Sequence, residues 1–203
     1  DFLRDLGARA RPQAGREFEE LSAFARERLG LEKLEAWDVG YASEQLKQAR
    51  YAISDEELRP YFPETRVVPG LFQLVEKLFG VSIRAAEGVE VWHPDVRAYD
   101  IFGADGALRA RFYFDLYARA NKRGGAWMDS AIARRRTADG LQLPVAYMVC
   151  NFTPPVGDDP ALFTHAEVQT LFHEFGHGLH HMLTTVDYAA VSGISGVEWD
   201  AVE

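Results

Sequence analysis

The stretch Leu171–His181, LFHEFGHGLHH, has the pattern of a helix with two different faces. At about 100° per residue, the apolar side chains in and around it share one arc, as in a helix packed on a core: Val168, Leu171, Phe172, Phe175, Leu179, Met182 and Leu183. His173 and His177 are four positions apart, so their rings lie one above the other on the opposite face. Thr164 with Glu167 three residues later predicts that this helix begins with a capping box.

The order His-Glu-x-x-His on a helix is typical of zinc peptidases, because it supplies two nitrogen ligands and an acid beside them. Here the predicted ligands are His173 and His177. Glu174 is offset by about 100° from His173 and is therefore placed to move a proton rather than to bind the ion. A catalytic site needs a third protein ligand. His180 and Leu183 stand where the extended pattern HExxHxxGxxH requires glycine and histidine, so that pattern does not supply it.

The alternative source of a third ligand is an acidic residue on a following helix. The turn-rich stretch SGISG comes next, and Ser195 with Glu198 has the pattern of a second capping box. A second helix is therefore predicted to start near Gly196 and to carry Glu198, Asp200 and Glu203. Glu198 and Glu203 are five apart and point to different sides, so only one of them is expected to face the metal.

Two glycines and two further histidines lie on the first of these helices. Gly176 and Gly178 each cost about 1 kcal/mol relative to alanine inside a helix, which indicates that something approaches the backbone closely there. His180 lies near the histidine face and either supports the ligands through hydrogen bonds or simply packs. His181 is expected on the same face, but two turns from His173, too far to bind the same ion.

Together these motifs resemble the thimet oligopeptidase family, and within it the oligopeptidase A branch. The resemblance rests on HEFGH with the following histidine, on SGISG, on the last seven residues, and on three upstream segments: Phe112–Tyr117, Lys122–Trp127 and Asn151–Thr153. It implies that the third ligand is Glu203, at the end of a D-x-x-E segment. Asp200 then either orients a ligand histidine or serves the helix surface and its dipole. Members of this family are several times longer, so the chain is interpreted as an internal piece of their catalytic region, without the downstream substrate-binding tyrosines and mobile loop.

The resemblance further implies a zinc-dependent endopeptidase that hydrolyses short, unstructured oligopeptides. Zinc held by His173, His177 and Glu203 would polarise a water, and Glu174 would accept its proton and deliver it to the leaving nitrogen. Ala146–Phe152 is the candidate sheet edge along which a peptide backbone pairs. The protein is expected to be a monomer, and the piece alone is expected to bind zinc weakly and to have little or no activity.

Two other interpretations stay open. One is a non-catalytic zinc site that only holds two helices together. It would need a fourth protein ligand, and the sequence offers no clear one because Cys150 lies on a predicted strand. The other is a metal-free helical interaction module in which the histidines are accidental.

The composition is that of an ordinary globular chain, with 47% hydrophobic and 26% charged residues among 203. A net charge of −9 without a basic stripe argues against nucleic-acid and anionic-membrane partners. No segment reaches the roughly 18 apolar residues of a membrane helix. Cys150 is the only cysteine, which fits a reducing compartment, the cytoplasm. Lys122-Arg123 and Arg134–Arg136 are expected to be solvated or paired with carboxylates rather than to form a binding patch.

The predicted fold is α+β and mainly helical, in a single domain 1–203. Residues 1–80 form its helical part, 81–152 contain a small antiparallel sheet, and 160–203 carry the metal-site helices. Helical periodicity and stop signals predict the first helices at 1–6, 12–29, 38–51, 55–61 and 69–79. Alternating apolar residues predict strands at 89–92, 96–102, 108–114 and 145–152. Asp105-Gly106 is a hairpin signal, and no strand is predicted in the polar stretch 119–136.

Overall fold

The computed structural model describes residues 1–52 and 54–197. Backbone contacts divide the chain into two compact units, Asp1–Glu57 and Leu58–Glu203. The single domain expected from the sequence stays a prediction. Within the described part, no helix combines the length and the apolar character needed to cross a membrane.

Five α-helices occur in the described residues: α1 Phe2–Phe24, α2 Val39–Tyr51, α3 Asp55–Leu58, α4 Glu64–Phe79 and α5 His165–Leu183. Shorter helical turns follow three of them: a π-helical turn Ala25–Leu29 and 3-10 turns Arg59–Tyr61 and Ala189–Val191. The strands are β1 Ser82–Ala85, β2 Arg97–Phe102, β3 Leu108–Tyr117, β4 Trp127–Ile132, β5 Arg135–Thr137, β6 Gly140–Gln142 and β7 Val145–Phe152.

Proline does not set the helix boundaries that we predicted. Pro12 lies inside α1, so the helices expected at 1–6 and 12–29 are one continuous element. Likewise, α4 begins at Glu64 and contains Pro69, which was expected to start it. In both helices the proline removes one backbone hydrogen bond without ending the helix. The predicted stops are confirmed, because Gly30 and Gly80 end their helices in the left-handed conformation.

The larger sheet is mixed, whereas an antiparallel sheet was predicted. Its strand order is β1-β2-β3-β7-β4, and β5 and β6 form a separate two-stranded ribbon. The β3–β7 pair is parallel, with Arg111 opposite Val145, and the other pairs are antiparallel. The chain therefore crosses over between β3 and β7, and β4 is formed within that crossover, where no strand was predicted.

The first part of the sheet also differs in detail from the prediction. The first strand is Ser82–Ala85 rather than 89–92. The hairpin predicted at Asp105-Gly106 is confirmed: it joins β2 to β3, and Gly106 has a φ of 75° that favours glycine.

The main core lies between the sheet and two helices, α4 and α5. It contains Leu71 and Val75 of α4 and Leu171, Phe175 and Met182 of α5, packed against the apolar side chains of β3 and β7. Aromatic rings form its centre, with the Phe175 centroid 5.2 Å from that of Phe112 and 5.6 Å from that of Phe114. The face of α5 opposite this core is therefore held at a fixed orientation. A separate small cluster of Leu21, Ala25 and Ala42 forms the core of the first unit.

Helix α5 begins with the predicted capping box. The backbone N–H of Glu167 donates to the Thr164 hydroxyl at 3.1 Å, and the backbone N–H of Thr164 donates to the Glu167 carboxylate at 2.7 Å. After α5 ends at Leu183, the chain runs through a 3-10 turn to Val197. The second metal-site helix that we predicted, with Glu198, Asp200 and Glu203, lies outside the described residues.

Candidate metal centre

His173 and His177 meet near the middle of α5. Their Nε2 atoms are 3.0 Å apart, and their rings are perpendicular with centroids 4.6 Å apart. His173 is exposed and His177 is half-buried, so the pair opens toward solvent. The spacing of four residues on a helix thus brings the two rings together, while their role as ligands stays a prediction.

This pair fits a zinc ion in its donor chemistry and in its separation. Zinc binds imidazole nitrogen at about 2.0–2.1 Å, and two such nitrogens at the tetrahedral angle are about 3.3 Å apart. The observed separation of 3.0 Å is close to that value. Because His173 is exposed, further ligands could approach an ion bound to the pair from the solvent side.

Glu174 lies beside the pair but on the protein side of the helix. Its residue is only 8% exposed, although its neighbour His173 is exposed. The Glu174 carboxylate interacts electrostatically with the Cys150 thiol of β7. Burial raises the pKa of that thiol to about 12, and the Glu174 charge adds to the effect, so the thiol stays protonated at neutral pH.

The buried arc of α5 is rotated from the one predicted by the apolar residues alone. The buried positions are Leu171, Glu174, Phe175, Gly178, His181 and Met182. Phe172, which was assigned to the core face, is 37% exposed, and Leu179 and Leu183 are only half-buried. The helix instead turns its Gly178 side to β7, where the Met148 side chain occupies the space that a Cβ would need. Glu174 is buried as a consequence of that rotation.

The two helix glycines have different surroundings. A Cβ at Gly178 would lie 2.8 Å from the Met148 sulfur of β7, so the close approach predicted there is confirmed. A Cβ at Gly176 would have no atom of the described residues within 4 Å. The prediction of a close contact at Gly176 is therefore wrong for the part of the chain that the structure describes.

The segment that follows α5, Thr184–Val197, is called the return segment here. Asp187 holds it to the residues around β5. Its carboxylate accepts hydrogen bonds from Arg134 Nε at 2.9 Å and from Arg136 Nη2 at 2.6 Å, and its carbonyl accepts one from the Arg136 backbone N–H at 2.9 Å. The hydrogen bond from Arg136, supported by that from Arg134, holds the pKa of Asp187 below its ordinary value. The salt bridges expected for Arg134–Arg136 are confirmed for these two arginines, but the sequence contained no sign that Asp187 is their partner.

His181 lies in the interior, not on the histidine face where it was predicted. It is 0% exposed, and its Nε2 is 2.9 Å from the Ile132 carbonyl oxygen of β4. The return segment covers its other side: a Cβ at Gly193, whose φ is 60°, would lie 2.7 Å from the His181 Cα. At about 100° per residue, His181 is some 80° from His173, which places it near the buried Glu174. That angle is the feature of the sequence from which the burial of His181 could have been predicted.

The candidate sheet edge also needs correction. Strand β7, which contains Ala146–Phe152, is paired on both sides, by β3 and by β4. It therefore has no free edge for a peptide. In the five-stranded sheet the edge strand beside α5 is β4.

A buried polar network fixes the connection between β3 and β4. The Asp115 carboxylate accepts hydrogen bonds from Arg119, Lys122 and Trp92, and the Lys122 side chain is only 5% exposed. Burial alone would raise the pKa of Asp115, but these hydrogen bonds outweigh it and lower the pKa to about 2. Asn151 completes the connection by donating 2.7 Å hydrogen bonds to the carbonyls of Arg123 and Gly125. The expectation that Lys122 pairs with a carboxylate is confirmed.

The remaining predicted site residues are not brought to the histidine pair by the described structure. Among residues 1–52 and 54–197, no group of three His, Cys, Asp or Glu side chains is arranged to hold a metal ion. Glu203 and Asp200 lie outside the described residues. His180 is exposed and lines an open apolar groove beside α5, together with Phe79 and Leu179. Its supporting role stays a prediction.

The sequence matches the family described as Peptidase family M3 over residues 1–203. It is 58% identical over 204 residues to oligopeptidase A of Escherichia coli (strain K12) and 46% identical over 211 residues to the probable cytosolic oligopeptidase A of Arabidopsis thaliana. These alignments cover 100% of the chain. It is also 37% identical over 193 residues, 95% of the chain, to the dipeptidyl carboxypeptidase of Salmonella typhimurium.

The chain is much shorter than these relatives. It spans 30% of each of the two oligopeptidases and 28% of the dipeptidyl carboxypeptidase.

Proposed function

The chain belongs to peptidase family M3, and from that premise we propose that it is part of the catalytic region of a zinc-dependent endopeptidase acting on short oligopeptides. The observation that supports this most strongly is the pair of Nε2 atoms of His173 and His177, 3.0 Å apart beside the buried Glu174. The relatives at 46% identity or more are named oligopeptidases. The lone cysteine supports a cytoplasmic location, and we propose that the enzyme is a monomer.

In this proposal, His173, His177 and Glu203 would hold one zinc ion. When bound, the ion would act as a Lewis acid that polarises a water molecule and a peptide carbonyl. Glu174 acts as general base and then as general acid: its carboxylate takes a proton from water and passes it to the leaving nitrogen. Burial suits this task, because the carboxylate is fixed by the packing of α5 and does not need to reorganise.

Substrate would pair with the open edge of β4. Strand β4 is tied to β7 on one side and packs against α5, so a peptide added to its other side would lie along the strand next to the helix that carries the histidine pair. Recognition through backbone hydrogen bonds gives little dependence on side chains, as expected for an enzyme that degrades varied short peptides.

Glu174→Gln in the full-length protein tests the proposal. Zinc content, measured by atomic absorption, should stay at one per chain, while the kcat for a quenched fluorescent peptide should fall by about 10²–10⁴-fold because proton transfer is lost. Glu167→Gln is the matched control: it makes the same change on the same helix, and glutamine preserves the capping box.

The other outcomes identify the alternatives. A wild-type protein that binds zinc but has no peptidase activity would indicate a structural zinc site. A wild-type protein that binds no zinc would indicate a metal-free interaction module. Full activity in Glu174→Gln would refute the assigned role of Glu174.

A further inference from the structure

A hydrogen bond from a buried histidine joins the helix of the histidine pair to the edge strand of the sheet. His181 is 0% exposed and lies one helical turn after His177, and its Nε2 is 2.9 Å from the carbonyl oxygen of Ile132. Because a carbonyl oxygen can only accept, Nε2 carries the proton and donates it to this bond. The bond therefore links α5 directly to β4, one turn beyond the second candidate ligand.

The imidazole of His181 has little freedom to move. Gly193 of the return segment packs against it, so that a Cβ at that position would lie 2.7 Å from the His181 Cα and 2.9 Å from its Nδ1. Nδ1 has no hydrogen-bond partner among the residues that the structure describes. Packing therefore fixes the direction in which Nε2 donates.

Ile132 is the point at which the pairing of β4 ends. It is the last residue of β4 and lies opposite Val145, the first residue of β7, after an irregularity in register between Ser130 and Ile132. The other side of β4 has no neighbouring strand in the five-stranded sheet of the described chain. The hydrogen bond from His181 thus holds this end of the strand from the side of α5.

The position of β4 relative to α5 matters for the chemistry of the proposed function. A peptide paired with β4 takes its position from that strand, whereas His173, Glu174 and His177 take theirs from α5. A strand that shifted on the helix would carry the peptide carbonyl away from these side chains. Misplacement of reacting groups by about 1 Å can cost about 10²-fold in rate.

We propose that His181 is a positioning residue for peptide hydrolysis: by donating to the Ile132 carbonyl, it fixes β4, the proposed peptide-binding edge, relative to the histidine pair. This inference rests on the proposed function, since it takes β4 as the edge to which substrate binds. His181 would touch neither zinc nor peptide, and would act only through the strand that it holds.

Matched variants of the full-length protein test this role. His181→Leu removes the donor but keeps a side chain of similar size, so the kcat for a quenched fluorescent peptide should fall by about tenfold or more, while the zinc content stays unchanged. His181→Gln places an amide N–H within reach of the same carbonyl, and should keep kcat within about threefold of the wild-type value.

Gln142→Leu is the control for a general loosening of this region. It removes a 2.8 Å hydrogen bond to the neighbouring carbonyl of Ala133, but that bond comes from β6 and not from α5. Its kcat should therefore stay within about threefold of the wild-type value. A fall in Gln142→Leu equal to that in His181→Leu would overturn the inference, because the link to α5 would then have no special effect.

A second measurement separates positioning from a loss of folded enzyme. Peptides with a single N-methylated amide cannot make one of the hydrogen bonds of strand pairing, so the wild-type enzyme should hydrolyse at least one of them more slowly than the parent peptide. The ratio of the two kcat/KM values does not depend on how much enzyme is active. In His181→Leu this ratio should fall by about threefold or more, because pairing with a displaced strand stabilises the transition state less.

Hydrogen exchange supplies a readout that is independent of activity. In the metal-free full-length protein, followed by mass spectrometry, the amides of residues 127–132 should exchange about threefold faster or more in His181→Leu than in the wild-type protein. His181→Gln should restore the slower exchange. Unchanged exchange in His181→Leu would overturn the inference, because β4 would then not be held by this bond.

The remaining outcomes distinguish this inference from the proposed function. An unchanged kcat in His181→Leu, an equal fall for parent and N-methylated peptides, or no rescue by His181→Gln would overturn the inference alone. If the wild-type enzyme hydrolyses every N-methylated peptide as fast as the parent, the proposed placement of substrate on β4 is wrong and the inference falls with it.

Should His181→Leu fail to fold, His181→Asn replaces it. The asparagine amide lies near the position of Nδ1 rather than that of Nε2, so it keeps a polar group in the same space without reaching the Ile132 carbonyl. It should show the same fall in kcat and in the peptide ratio as expected for leucine. Wild-type values in His181→Asn would overturn the inference.

Discussion

Gly178 and Gly176, one half-turn apart on α5, differ in what surrounds them. In the chain 1–203, we expect Gly176→Ala to raise the free energy of unfolding by about 0.5–1 kcal/mol, because alanine is the better helix former and has open space there. Gly178→Ala should not show that gain and should instead lower the free energy of unfolding by about 1–3 kcal/mol, because its Cβ would meet the buried Met148 sulfur at 2.8 Å. Urea denaturation of the two variants measures the difference. Equal stabilisation by both would show that the α5–β7 contact is looser than described.

Asp115 is the carboxylate on which the connection before β4 depends. Asp115→Asn leaves the Lys122 ammonium buried without its counter-ion, and breaking a buried pair in this way costs about 3–5 kcal/mol. Asp105→Asn at an exposed pair should change the free energy of unfolding by less than about 1 kcal/mol. A similar small effect of both substitutions, measured by urea denaturation, would contradict the role given to the network.

The same carboxylate should make stability depend on acid pH. The pKa of Asp115 is about 2 in the folded chain, against an ordinary value of 3.8, so the unfolded chain binds the proton first as the pH falls. Its contribution is therefore fully present above about pH 4 and is lost between about pH 4 and pH 2. The unfolding midpoint in urea, followed over this range, should fall less steeply in Asp115→Asn than in the wild-type chain.

At the scale of residues, the sequence predicted what local spacing determines. His173 and His177 lie together because they are four positions apart on a helix. Thr164 and Glu167 form the capping box because they are three positions apart. The roles of Asp187 and His181 could not be predicted in this way, because their partners, Arg134, Arg136 and Ile132, lie 49 to 53 positions earlier in the chain. Nothing local to either residue indicates which distant group it meets.

At the scale of elements, α5 depends on its N-terminal cap for its first turn. Thr164→Ala removes the acceptor for the Glu167 N–H and should lower the free energy of unfolding by about 1 kcal/mol. Thr164→Ser keeps a hydroxyl at that position and should cost much less. Urea denaturation distinguishes the two, and equal losses would mean that the methyl group of the threonine matters, not its oxygen.

Strand β4 and the orientation of α5 were predicted poorly, for different physical reasons. Strand β4 was missed because Trp127–Ile132 is polar in part and does not alternate cleanly: as an edge strand it is only partly covered. The orientation of α5 was predicted from its apolar side chains, yet the packing of Gly178 on Met148 decides it. A glycine that packs under a side chain of the sheet adds no apolar residue to the helix pattern, so a hydrophobic arc cannot show this contact.

At the scale of the whole molecule, the proposed metal should matter for activity far more than for the fold. The core of α4, α5 and the sheet is closed by apolar contacts that do not involve the histidine pair. Removing zinc from the full-length protein with a chelator should therefore abolish peptidase activity and leave the far-ultraviolet circular dichroism nearly unchanged, and added zinc should restore activity. Loss of helical signal on chelation would show that the metal is structural.

The global arrangement was the least predictable part. The presence of helices, then strands, then the helix with the histidines was predicted from periodicity and is confirmed in outline. The parallel pairing of β3 with β7 was not predicted, because the alternation of side chains along a strand is the same whichever direction the neighbouring strand runs. It is decided by the crossover that Asp115 and Asn151 help to hold.

That parallel pair has a consequence for how the protein is made. Arg111 of β3 pairs with Val145, which lies 34 positions later in the chain and is therefore synthesised after it. While a ribosome is still synthesising the crossover, the nascent β1–β3 meander exposes one edge with the large side chains of Phe112 and Phe114 beside it. An unpaired edge of this kind can pair with other chains, so this stretch is the one most exposed to aggregation until β7 has been synthesised.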